Sequence, residues 1–133
     1  MLLRVVLGER GRLREWSRSR RWVSSELIRL EGLRTIDRAR LRLRLPDRAV
    51  AARRAAFLDH LRAFDLVRLQ PAVLERAEGS FPTSLGTLDA LHLASALLVR
   101  ERFEDILFAT HDEELAVAAT AMGFQVLGVT PRD

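Results

Sequence analysis

The sequence predicts an α/β domain built on a parallel sheet, and three observations carry that prediction. The last third of the chain reads strand, helix, strand: an apolar run from Asp105 to Thr110, a helix from Asp112 to Met122 stopped by Gly123, and a second apolar run from Phe124 to Val129. Two strands joined through a helix form a right-handed crossover in a parallel sheet, and ligands collect at the carboxyl ends of such strands. The stretch Thr87 to Leu98 is a helix in which Leu88, Leu91, Leu93, Leu97 and Leu98 leave no broad polar face, the pattern of a helix buried inside a domain. Finally, 133 residues with 48% hydrophobic content suffice for one compact domain, taken here as residues 1–133.

The elements follow in order. Met1 to Leu7 is an apolar run, and Gly8-Glu9 leads into an Arg-rich segment over 10–21 that Gly11 interrupts, which reads as two short helices with a break. Ser24 or Ser25 offers an N-cap for a long helix that runs to Leu45 and is closed by Pro46. Within it Arg38, Arg40, Arg42 and Arg44 alternate with Leu41, Leu43 and Leu45, a period of two that a strand would also show; a helical end is the reading preferred. Asp47 is the expected N-cap of a helix over 48–63 with Phe57, Leu58 and Leu61 on one face. Phe64 to Leu69 reads as a short strand, Pro71 to Glu78 as a short helix, and residues 79–84 as the loop into the buried helix, with Thr87 as its N-cap. The six Phe are expected in the core. Trp16 and Trp22, flanked by Arg, are candidates for stacking on bases or on a protein partner.

Charge is divided unequally. Residues 1–68 hold 18 Arg against 8 acids and residues 69–133 hold 4 Arg against 10 acids, so the halves carry +10 and −6, and Lys is absent. A basic half made of Arg suits phosphate or carboxylate partners, although runs of charge also serve as solvated helix faces. No apolar run approaches the roughly 20 residues of a membrane span, and no signal-peptide pattern opens the chain, so a cytoplasmic protein with no membrane partner is expected. Without Cys, and with His only at 60, 92 and 111, thiolate and His-rich metal sites are excluded; a bound metal would be a hard cation on oxygen ligands.

Three acids are candidates for that role. With Leu27 at 0° and about 100° per residue, Ile28 lies at +100°, Leu30 at −60° and Glu31 at +40°, so Glu31 points with the apolar residues while Glu26 falls near the edge. A carboxylate on a core face has to be paired, protonated or bound to a cation, and Arg34 beside it offers a purely structural pair. Asp89 lies in the first turn of the buried helix, where complementing the helix dipole is a sufficient structural account. It shares a side with His92, expected as a buried, hydrogen-bonded residue, and with Ser95. Asp112 follows the strand and opens the next helix, where it serves equally as N-cap. Together, three carboxylates repel one another without a cation and form a suitable magnesium site with one. His111, next to Asp112, is read as a turn residue within reach of a substrate.

The segments Val23 to Arg34, Thr87 to Ala94 and Thr110-His111-Asp112 with Leu115, Ala118-Ala119 and Gly123 resemble three signature blocks of PIN-domain ribonucleases, most nearly the VapC toxins of toxin–antitoxin pairs. The resemblance runs across almost the whole chain in the right order. It implies a three-layer α/β/α domain with a central parallel sheet, Mg2+- or Mn2+-dependent cleavage of RNA, inhibition by a small VapB-like antitoxin, and a homodimer. By the same resemblance Glu31, Asp89 and Asp112 are the catalytic, metal-binding acids, and Glu26 is not among them.

One departure stands beside the match. Family members begin with a strand bearing the first metal-binding Asp, and here Leu2 to Glu9 resembles the helix that follows it, so the sequence reads as lacking the first strand and its acid. A sheet without its central strand is expected to have a gap in its hydrogen-bond ladder. A late start codon, a natural truncation and completion by another segment or chain each account for this. Two functions remain: a metal-dependent endoribonuclease, or a catalytically impaired relative that only binds antitoxin or RNA.

Overall fold

A computed structural model describes residues 22–103 and 106–129. The elements in chain order are β1 (Trp22–Ser25), α1 (Leu27–Leu43), α2 (Asp47–Leu61), β2 (Phe64–Val67), α3 (Pro71–Glu78), α4 (Thr87–Arg100), β3 (Leu107–Ala109), α5 (Glu113–Ala121) and β4 (Gln125–Leu127). The expected helices over 1–21 lie outside the described residues, as does Trp16.

All strand pairing is parallel. β1 pairs with β2 in a register that sets Trp22 opposite Phe64, and β3 pairs with β4 with Phe108 opposite Val126. Among the described residues these pairs form two separate two-stranded sheets with no ladder between them. The β3-α5-β4 crossover is the unit expected from the sequence. β1 is not: Ser24 and Ser25, read as helix caps, are buried in a strand. The helix begins after Glu26, which is its N-cap and provides no side-chain cap, so neither Ser24 nor Ser25 caps it; Ser25 Oγ accepts a bond from Leu27 N–H at 3.3 Å from within the strand. The Arg-Leu alternation is helical up to Leu43, and Arg44 closes the helix in the left-handed region at φ 49°. There Leu41 and Leu43 stand exposed.

α4 joins the two halves. Its residues Ala90 to Ser95 are buried without interruption. On one side Leu91 and Ala94 pack with Leu27 of α1 and Val73 of α3; on the other Leu93 packs with Phe108, Leu115, Ala118, Ala119 and Phe124. Full burial of a leucine such as Leu93 contributes about 1.5–3 kcal/mol. A third cluster, Ile28 with Phe57 and Leu61, holds α1 against α2. It depends on Gly32, because a Cβ at that position would overlap the Phe57 ring.

Two expectations about the core are corrected. Leu30, assigned to the buried face of α1, is exposed; the buried face is formed by Leu27, Ile28 and Gly32, so it is rotated away from Leu30 and retains the direction of Glu31. Phe103, expected in the core, is also exposed, whereas Phe57, Phe108 and Phe124 are buried. Trp22 stacks on Phe64, with ring centroids 6.2 Å apart, so its ring already has a partner inside the fold.

Candidate active site

Near the N-terminal end of α4 the charges of the three predicted acids bear on one another, and each is placed by different local chemistry. Asp89 is in the first turn of α4, whose N-cap is Gly86 rather than Thr87 and provides no side-chain cap. Among the described residues no hydrogen-bond donor or cation pairs with its carboxylate. Burial raises the Asp89 pKa above the ordinary aspartate value, and the negative charges of Asp112 and Glu31 raise it further. These two acids are therefore close enough to oppose its ionisation.

Asp112 sits just past the carboxyl end of β3 and caps α5, its Oδ1 accepting from Leu115 N–H at 2.9 Å. The turn that carries it is fixed by short-range bonds. Thr110, fully buried, donates its N–H to Leu127 O at 2.9 Å and accepts from Asp112 N–H on Oγ1 at 3.1 Å. His111 Nδ1 bonds Gly128 O at 2.6 Å, which makes it the expected turn residue. Gly128 has φ +96°, and a Cβ there would come within 2.7 Å of Thr110 O, so only glycine lets β4 approach this turn so closely.

Glu31 is placed differently. It projects from the buried face of α1, and its Oε1 lies 2.7 Å from His92 Nε2 of α4. The expected structural partner, Arg34, instead faces Asp37 at 3.6 Å. Burial by itself would raise the Glu31 pKa, but the hydrogen bond with His92 offsets it and helps hold the carboxyl below its ordinary value. His92 is thus the residue whose role the sequence left open: its burial was expected, but the choice of partner was not. Ser95, on the same side of α4, returns its hydroxyl to Leu91 O at 2.8 Å and takes no part in the site. Glu26 is likewise outside it, accepting from Leu69 N–H at 2.7 Å and stitching the end of β1 to the chain after β2.

The arrangement is an open cluster of oxygen donors. Among the described residues no three His, Asp or Glu side chains close on one point at ligand distance. Its chemistry nevertheless suits a hard divalent cation, since a positive charge at this junction would relieve the repulsion that opposes ionisation of Asp89.

The PIN domain family matches residues 2–121. Ribonuclease VapC46 of Mycobacterium tuberculosis (strain ATCC 25618 / H37Rv) is 35% identical over 122 residues, covering 90% of this chain and 83% of that protein. No solved structure matches the chain significantly. With parallel strands flanked by helices and a family match spanning most of its length, the chain belongs to the PIN-domain family.

Proposed function

We propose that this chain is a single-domain, metal-dependent endoribonuclease toxin of the VapBC type, active on RNA and neutralised by a VapB-like antitoxin. What supports this reading is that Asp89, at the start of α4, is opposed in its ionisation by the charges of Asp112 and Glu31. Its relative is named a ribonuclease. Glu31, Asp89 and Asp112 would hold Mg2+ or Mn2+, and the ion, when bound, would supply a water of lowered pKa and neutralise charge on the scissile phosphate. The chain's own residues prepare that chemistry. Asp112 spends one oxygen on the α5 cap and keeps the other for a ligand, Glu31 is held by His92, and Asp89 sits on the positive end of the α4 dipole. No side chain has to act as nucleophile. The exposed Arg38, Arg42, Arg44, Arg48, Arg53 and Arg54 of α1 and α2 attract the RNA backbone. A homodimer working in the cytoplasm completes the proposal; none of the described helices is long and apolar enough to cross a membrane.

A second reading, a relative that binds antitoxin or RNA without cleaving, is favoured by the open ligand set. One experiment separates the two. The purified chain is incubated with structured and unstructured RNA in Mg2+ or Mn2+ and in excess EDTA, with Asp89→Asn as the control for contaminating nuclease. Cleavage that requires metal and disappears in the variant is the expected result. RNA retention without cleavage in either metal overturns the enzymatic reading in favour of the second.

A further inference from the structure

The contact between His92 and Glu31 has two features that simple core packing does not require. The His92 side chain is 1% exposed and its Nε2 meets Glu31 Oε1 at 2.7 Å, while the Glu31 side chain is 19% exposed and so opens toward solvent on its other side. In addition His92 Nδ1 is buried with no hydrogen-bond partner among the described residues. A buried N–H without an acceptor is rarer and costlier than a buried acceptor left bare, so the proton belongs on Nε2, where it is donated to the carboxylate. The histidine is therefore retained in a run of Ala90, Leu91, Leu93 and Ala94 although one of its nitrogens is unsatisfied, and its one bond goes to a candidate ligand.

We propose that His92 is a positioning residue: its Nε2–H fixes Oε1 of Glu31, so that the carboxylate presents Oε2 to the cation from a single orientation. The inference rests on the metal-site reading above and deepens it. Glutamate reaches its carboxylate through three rotatable bonds, and a long flexible ligand binds weakly unless something holds it. His92 is three residues after Asp89 on α4, one helical turn away. That buried helix thus supplies one acid directly and sets the position of a second, making the spacing of Asp89 and Glu31 a property of one rigid element rather than of two packed helices. The contact spans 61 residues of sequence, so no local backbone preference could do the same.

Two measurements test this. In the metal-free protein, 15N-edited NMR is expected to show His92 protonated on Nε2, with that proton protected from solvent exchange in the wild type and fast-exchanging in Glu31→Ala. A proton on Nδ1, or equal exchange in both proteins, overturns the proposal. In calorimetric titration with Mn2+, His92→Leu is expected to lose about ten- to a hundredfold in affinity, and His92→Gln, which keeps an N–H donor, to recover most of it. Equal Mn2+ affinity in wild type and His92→Leu overturns positioning even where the hydrogen bond exists. Should His92→Leu fail to fold by circular dichroism, His92→Gln and the NMR comparison decide: weak binding by a folded His92→Gln that lacks a protected amide proton supports the need for the donor. Wild type that binds no Mn2+ yet shows the protected Nε2–H overturns the metal reading while upholding the contact, so the two failures are distinct.

Discussion

Glu31 and Asp112 arrive at the same junction by opposite means. Asp112 is held by its own neighbourhood: the cap on Leu115, the Thr110 hydroxyl on its backbone and the glycine of the adjoining strand all lie within 18 residues. Glu31 is held from across the fold, by a histidine of another helix and by the helix packing that Gly32 permits. Locally fixed side chains survive the loosening of distant packing, whereas a side chain fixed by tertiary contact is lost with it. The half of the molecule bearing Glu31 should therefore be the sensitive half.

The sharpest way to break that contrast is at Gly32. Gly32→Ala places a methyl group in the Phe57 ring and forces α1 away from α2, so a loss of about 1–3 kcal/mol is expected in denaturant unfolding, together with exchange of the His92 Nε2 proton. Unchanged stability with an unchanged His92 signal would show that Glu31 does not depend on this packing. A smaller effect is expected at the local anchor. Asp112→Ala should cost about 1 kcal/mol through loss of the α5 cap, and Asp112→Ser should restore most of that stability without restoring metal binding. Restored metal binding in the serine variant would remove Asp112 from the ligand set.

The smallest effect separates the two acids by sign. Glu31 has a lowered folded pKa, so it contributes stability above its unfolded value that is lost as pH falls through the folded one. Asp89 has a raised folded pKa, so its penalty is absent below the ordinary aspartate value and grows as pH rises through the folded one. Metal-free Asp89→Asn should accordingly be slightly more stable than wild type near pH 7, since solvent screens a partly exposed carboxylate, and the gain should vanish in acid. Thermal melts across pH 3–8 check this. An advantage that persists at the acid end would assign the effect to something other than charge.

How far the sequence could be read follows the same division. α3 is bounded as expected because Pro71 and Gly79 mark its ends, and β3-α5-β4 is recognisable because Asp112 and Gly123 punctuate it. β1 is not legible, since serines beside a helix look like caps until their strand partner, about 40 residues away, is known. The direction of Glu31 could be taken from helical spacing. Its partner could not, because nothing near residue 31 encodes residue 92. Exposure of Leu30 and Phe103 likewise depends on which neighbouring elements fail to cover them, a tertiary fact without a local signal.

The burial of α4 between two clusters also gives the molecule an order of events in time. During synthesis at roughly 5–20 residues per second, β1, α1, α2 and β2 emerge seconds before α4 is complete. Until then Leu27 and Val73 lack Leu91 and Ala94, and Glu31 lacks His92. Asp112 is added later still. The acids that bear on one another at the start of α4 are therefore brought together only after α4 and then Asp112 have been added.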